Sequence, residues 1–125
     1  MSRALGARAE DTAAAQLERL GYRIVARNVS VKGGELDIVA LDGQGQNQGQ
    51  NQGRTTTLCF IEVRARKDGR FGAAEETVGA LKQLRVRKAA AQFLARWQNP
   101  NVPCRFDVAV VDAAGGVRVI KNAFE

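Results

Sequence analysis

Residues 58–64 read Leu-Cys-Phe-Ile-Glu-Val-Arg, the heart of a β-branched and apolar run from Thr55 to Arg66. Such a run suits a central strand, where branched and aromatic side chains pack on a pleated surface. Side chains alternate faces along a strand, so Leu58, Phe60, Glu62 and Arg64 point one way and Cys59, Ile61 and Val63 the other. An acid and a base then share one face of a hydrophobic strand. Desolvating a charge is costly unless it pairs or binds something. Glu62 and Arg64 therefore either neutralise each other along the strand or serve a ligand.

Working towards the N-terminus, Glu35 to Leu41 reads as a strand that follows a turn at Gly33-Gly34, and it sets Asp37 on the face of Val39 and Leu41. If this strand neighbours the central one, Asp37 and Glu62 converge on one hard cation. Mg²⁺ prefers one or two carboxylates, retained waters and substrate phosphate oxygens, the equipment of phosphodiester chemistry. Tyr22 to Asn28 reads as the hairpin partner, and Ser2 to Leu20, rich in Ala, Leu, Arg and Glu, as a helix stopped by Gly21. On that helix Glu10 lies about 20° from Leu17 and about 60° from Ala13 at ~100° per residue. It is either a third inward acid or an acid at the edge of the stripe reaching solvent. Gly6, one turn earlier, would let another backbone come close.

Working towards the C-terminus, Glu75 to Trp97 reads as a second helix, with Lys82 in line with Val86 and so pointing partly inward. Arg85, Lys88, Gln92 and Arg96 form an opposite stripe that either tracks a phosphate backbone or is simply solvated. Arg105 to Asp112 and Val117 to Lys121 read as strands closing around Gly115-Gly116. The order αβββαββ predicts one α/β domain over residues 1–125, a mixed central sheet flanked by helices in a three-layer sandwich. Gly43 to Gly53, GQGQNQGQNQG, can bury nothing and is expected to be a flexible loop.

Composition narrows the chemistry. The 125 residues suffice for one core, and no apolar run approaches the roughly 20 residues of a membrane helix. Glu10 and Asp11 interrupt what would be a signal peptide's apolar segment, so a cytoplasmic location is expected. The chain has no histidine, which excludes Ser/His and Cys/His catalysis, and Cys59 and Cys104 lack metal-ligand spacing. Any catalysis rests on carboxylates, Lys and Arg. The net charge of +6 fits attraction to a polyanion, nucleic acid above all, although basic character also serves solubility.

Taken together, GELD (34–37), CFIEVRAR (59–66) and FG (71–72) resemble the PD-(D/E)xK nuclease superfamily, with D…ExK appearing here as D…ExR. Adding GYRIVARN (21–28), the Lys82 and Arg85 pair, RFDV (105–108) and the terminal IKNAF (120–124), the whole chain is similar to the YraN-type family of small bacterial endonuclease-like proteins. That resemblance implies a restriction-endonuclease-like fold akin to archaeal Holliday-junction resolvases, and a Mg²⁺- or Mn²⁺-dependent endonuclease, with branched DNA among its substrates. It also implies Glu10, Asp37 and Glu62 as metal-site carboxylates and Arg64 at the usual lysine position, with a homodimer suggested by the resolvases.

Two departures matter. The Gln-rich segment looks like an insertion in a turn the family keeps short. Arg64 stays protonated, so it can stabilise phosphorane charge but cannot act as a general base, a role that Lys82 could take over. Arg66, Lys67, Arg70, Lys82 and Arg85 are expected to contact nucleic acid. The competing readings are a non-catalytic nucleic-acid-binding protein of the same fold and a scaffold protein.

Overall fold

The computed structural model describes residues 3–43, 56–66, 78–97, 99 and 101–124, with side chains from Arg8 onward. Within them the chain runs α1 (Arg3–Arg19), β1 (Tyr22–Val31), β2 (Gly34–Asp42), β3 (Thr57–Ala65), α2 (Ala80–Ala95), β4 (Cys104–Val111) and β5 (Val117–Phe124). The αβββαββ order is as expected. Most of the Gln-rich segment, Lys67, Arg70, the Phe71-Gly72 pair and residues 75–77 of the expected second helix lie outside the described residues.

The five strands form one mixed sheet in the order β1-β2-β3-β4-β5. β1–β2, β2–β3 and β4–β5 are antiparallel, whereas β3 and β4 are parallel. Parallel neighbours need a crossover, and α2 lies within it. On one face Ala9, Ala13, Ala14 and Leu17 of α1 pack on Ile38, Ala40, Cys59, Ile61 and Ala109. On the other, Val86, Ala89 and Ala90 of α2 pack on Val39, Leu58, Phe60, Val108 and Val110. The result is helix, sheet, helix: the three-layer α/β sandwich. β3 is the middle strand of the five and both its faces are covered, which explains its near-continuous apolar sequence.

Local chemistry sets the joints. Gly21 takes a left-handed φ of 98° immediately after α1, a conformation that other residues adopt only with strain. The β1–β2 hairpin then runs under α2, and at Gly34 an added Cβ would run into the Arg85 carbonyl oxygen. The second helix begins later than its periodicity predicts. Val78 and Gly79 precede it, Val78 is buried, and Gly79 is extended at φ −66°, ψ 158° as the N-cap. Pattern alone carries an apolar Val into a helix when tertiary burial holds it outside. The Arg85, Lys88, Gln92 and Arg96 stripe is solvent-exposed, yet it also flanks the hairpin, since Gln92 Nε2 donates to the Lys32 carbonyl at 3.1 Å.

Candidate functional site

β2 and β3 stay paired as far as Ile38 opposite Ile61. The next residue along each strand is Asp37 on β2 and Glu62 on β3, so the two acids face each other where the pairing stops. The register also puts Val39 opposite Phe60 and Leu41 opposite Leu58, both on the α2 side, as the alternation predicts. Asp37 is half-buried, and its Oδ2 accepts a hydrogen bond from the Val63 N–H at 2.9 Å. The carboxylate thus closes the end of the ladder and is fixed beside Glu62.

Glu62 has a side chain only 13% exposed, with Lys82 Nζ of α2 at 3.4 Å from Oε2. Burial, then the neighbouring Asp37 charge, pushes its carboxyl well above the usual carboxylate range, to about 7, against the opposing pull of Lys82. The pair is near enough for Asp37 and Glu62 to hydrogen-bond when one holds a proton. One lysine does not offset two crowded acids. Lys82 therefore points inward as its spacing predicts, and its partner is Glu62.

Glu10 approaches from α1. Burial and the Asp37 charge raise its pKa, while Arg27 and Asn28 lower it. Its Oε1 is buried without a hydrogen-bond partner, and the Arg27 guanidinium stands 3.7 Å away. That guanidinium also pairs with Asp11, more closely, at 2.6 Å. Glu10 is thus the inward acid rather than an edge residue. Even so, among the described residues no three acids close into a group able to cage a metal by themselves. The structure brings together Asp37 and Glu62, with Glu10 within electrostatic range of Asp37 only.

The remaining residues spread over the same end of the sheet. Arg64 is half-buried on β3, two residues beyond Glu62 and opposite Val110. Arg85 is exposed on α2, and Glu35 is exposed on the hairpin opposite Ser30. Arg66 is half-buried, its backbone amide donating to the Val111 carbonyl at 2.7 Å. Lys67 and Arg70 lie outside the described residues.

The opposite end of the sheet holds a charge cluster that the sequence reading misses. Arg105 Nε donates to Asp107 Oδ1 at 2.8 Å, and its Nη2 donates to Asp42 Oδ2 at 2.8 Å and the Tyr22 hydroxyl at 3.1 Å. Asp107 is fully buried, and its Oδ1 also accepts the Asn122 N–H at 2.9 Å, where β4 and β5 shift register. The signal was present in RFDV: acid and base two residues apart on an apolar strand, the pattern used to single out Glu62 and Arg64.

The arrangement defines a class: a small three-layer α/β protein whose mixed sheet ends in opposed, half-buried acids backed by a lysine. The chain belongs to the uncharacterised protein family UPF0102, whose model matches residues 9–111. It is 41% identical over 128 residues to a UPF0102 protein of Symbiobacterium thermophilum, covering 99% of this chain and 98% of that protein. To one of Geobacter sulfurreducens it is 42% identical over 125 residues, covering 97% and 88% respectively. To one of Burkholderia pseudomallei it is 41% identical over 122 residues, covering 98% and 76%.

Proposed function

We infer that the chain is a metal-dependent endonuclease of the PD-(D/E)xK type, hydrolysing phosphodiester bonds in nucleic acid, with DNA as the first substrate to test. The observation that carries this reading is the opposition of Asp37 and Glu62 at the end of the β2–β3 ladder, with Glu62 pushed up by burial and by Asp37. Two acids held together at this cost are accounted for by a cation between them. The donor set fits Mg²⁺ or Mn²⁺, which take hard oxygens and are content with two carboxylates plus water and phosphate. Oε1 of Glu10, buried with no hydrogen bond and only the Arg27 guanidinium 3.7 Å away, is one further acceptor, suited to orienting water. When bound, such an ion supplies Lewis-acid polarisation of the phosphate and a water acidified near neutral pH.

The chain's own groups have separable parts in this scheme. Asp37 and Glu62 would hold the ion, and the Val63 amide fixes Asp37. Lys82, 3.4 Å from Glu62, neutralises charge or passes a proton, the work a strand lysine would do. Arg64 stabilises charge on the phosphate but gives up no proton. Lys82 and Arg85 on α2 extend a basic surface along which a phosphate backbone can lie.

Asp37→Asn and Glu62→Gln should each abolish Mg²⁺- or Mn²⁺-dependent cleavage of duplex, flapped and branched DNA. They should leave DNA binding unchanged or tighter, because negative charge facing phosphate is removed. Cleavage persisting in both variants would end the nuclease reading. Two observations favour a non-catalytic binder: Lys82 already neutralises part of the Glu62 charge, and no three-acid cage forms among the described residues. Binding without cleavage in the unmodified chain would decide for it.

A further inference from the structure

β3 and β4 are the parallel pair of the sheet, and their carboxyl ends carry a cavity of about 320 Å³ on the α1 side. Ligands of α/β sheets collect in the crevice outside the carboxyl ends of parallel strands. The walls here are small and apolar: Ala9, Ala65, Val111 and Ala113. Arg8 from α1 and Arg66 from the end of β3 complete the lining, with Thr12 one turn beyond Arg8; the Arg66 Nη1 donates to the Ala65 carbonyl at 3.2 Å. Asp112 also lines it, but its Oδ1 accepts the Ala114 and Gly116 amides at 2.9 and 2.8 Å, which turns that carboxylate to the β4–β5 turn. Arg66 follows Arg64 by two residues, so the cavity lies at the same end of the sheet as Glu62 and Arg64, on the α1 face, whereas Glu62 faces α2 and Lys82. Along α1, Arg8 and Thr12 stand on one flank and Glu10 on the other, at ~100° per residue.

Apolar walls with an anion-binding pair suit a ligand that is apolar at one end and phosphorylated at the other. The volume lies at the small end of the roughly 300–1,000 Å³ of ligand pockets, too little for duplex and ample for one nucleotide. Guanidinium groups bind phosphate through forked, charge-assisted hydrogen bonds. We propose that this cavity receives a single unpaired nucleotide of the nucleic-acid substrate, its base against Ala9, Ala65, Val111 and Ala113 and its phosphate between Arg8 and Arg66. The proposal rests on the nucleic-acid reading above and deepens it: the preferred substrate carries an unpaired nucleotide, held at the same end of the sheet as the acids and on its α1 face.

The probe is thymidine 5′-monophosphate, titrated with EDTA present so that no metal contributes, and followed by calorimetry and by the backbone amide signals of Ala65, Ala113 and Gly115. The unmodified chain should bind it and shift those signals, with thymidine and inorganic phosphate each at least about tenfold weaker. Arg8→Ala and Arg66→Ala should each weaken binding about tenfold, the effect of one charge-assisted hydrogen bond. Ala113→Trp, at an exposed turn, should fill the cavity and abolish binding while the far-ultraviolet spectrum and melting temperature stay unchanged. Binding equally tight in all three variants overturns the proposal, as does inorganic phosphate binding as well as the nucleotide. Absent nucleotide binding alongside intact metal-dependent cleavage removes the cavity's role and keeps the nuclease; nucleotide binding without cleavage does the reverse.

Discussion

The two ends of the sheet both bury charge, and they do so with opposite outcomes. At the β4 N-terminal end Arg105 satisfies Asp107 and Asp42, Tyr22 and the Asn122 amide complete the set, and Lys121 Nζ adds a contact to Asp42 at 3.5 Å. At the other end Asp37 and Glu62 crowd together with Lys82 as cation, and Glu10, within electrostatic range of Asp37, has Arg27 nearby. Hydrogen bonds to Asp107, first of all, hold Arg105 firmly protonated, whereas burial and like charge hold Glu62 partly protonated near neutrality. A closed network makes structure. An open one keeps electrostatic free energy in reserve for a ligand that supplies the missing charge.

The comparison breaks first at Asp107. Asp107→Ala leaves Arg105 short of its main partner and the Asn122 amide unmet, so urea unfolding should show a loss of about 3–5 kcal/mol. A loss below about 1 kcal/mol would mean the network is no pin. At the open end, Lys82→Ala should lower metal-dependent cleavage on the order of 10²-fold or more, with little change in stability. Arg64→Lys should keep cleavage within about tenfold, because position 64 supplies charge and no proton. If Arg64→Lys is the more damaging of the two, the assignment of the lysine role to α2 is wrong.

A pH titration of stability sharpens the same contrast. Folding raises the Glu62 pKa from 4.5 to about 7, so the folded chain binds more protons than the unfolded one across that window. Stability should therefore fall as pH rises from about 4.5 to about 7, by on the order of 2 kcal/mol, and level off above. Glu62→Gln should flatten that slope. Mg²⁺ should restore stability at pH 8 in the unmodified chain and not in the variant. The smallest effect is expected at Arg27→Ala, whose partner Asp11 is 69% exposed: about 0–1 kcal/mol in a thermal melt. A larger loss would show that Arg27 serves Glu10 more than Asp11.

Much of this was legible in the sequence. The run around Leu58–Arg64 announced a buried central strand, strand parity placed Asp37 with Glu62, and helical spacing turned Lys82 inward, because these depend on local periodicity alone. The same parity applied to RFDV would have flagged Arg105 and Asp107. It could not have told the two acid–base pairs apart, since their neighbours Asp42, Tyr22 and Asn122 come from other strands.

What the sequence determined by itself was the order of elements, the faces of each strand and the chemistry left without histidine. Tertiary structure decided where β2 and β3 part, that Val78 is buried ahead of α2, and that Glu62 meets Lys82 while Arg105 meets two acids. Periodicity fixes direction along one element, whereas the balance of a buried charge is set by groups distant in sequence that packing brings within a few ångströms.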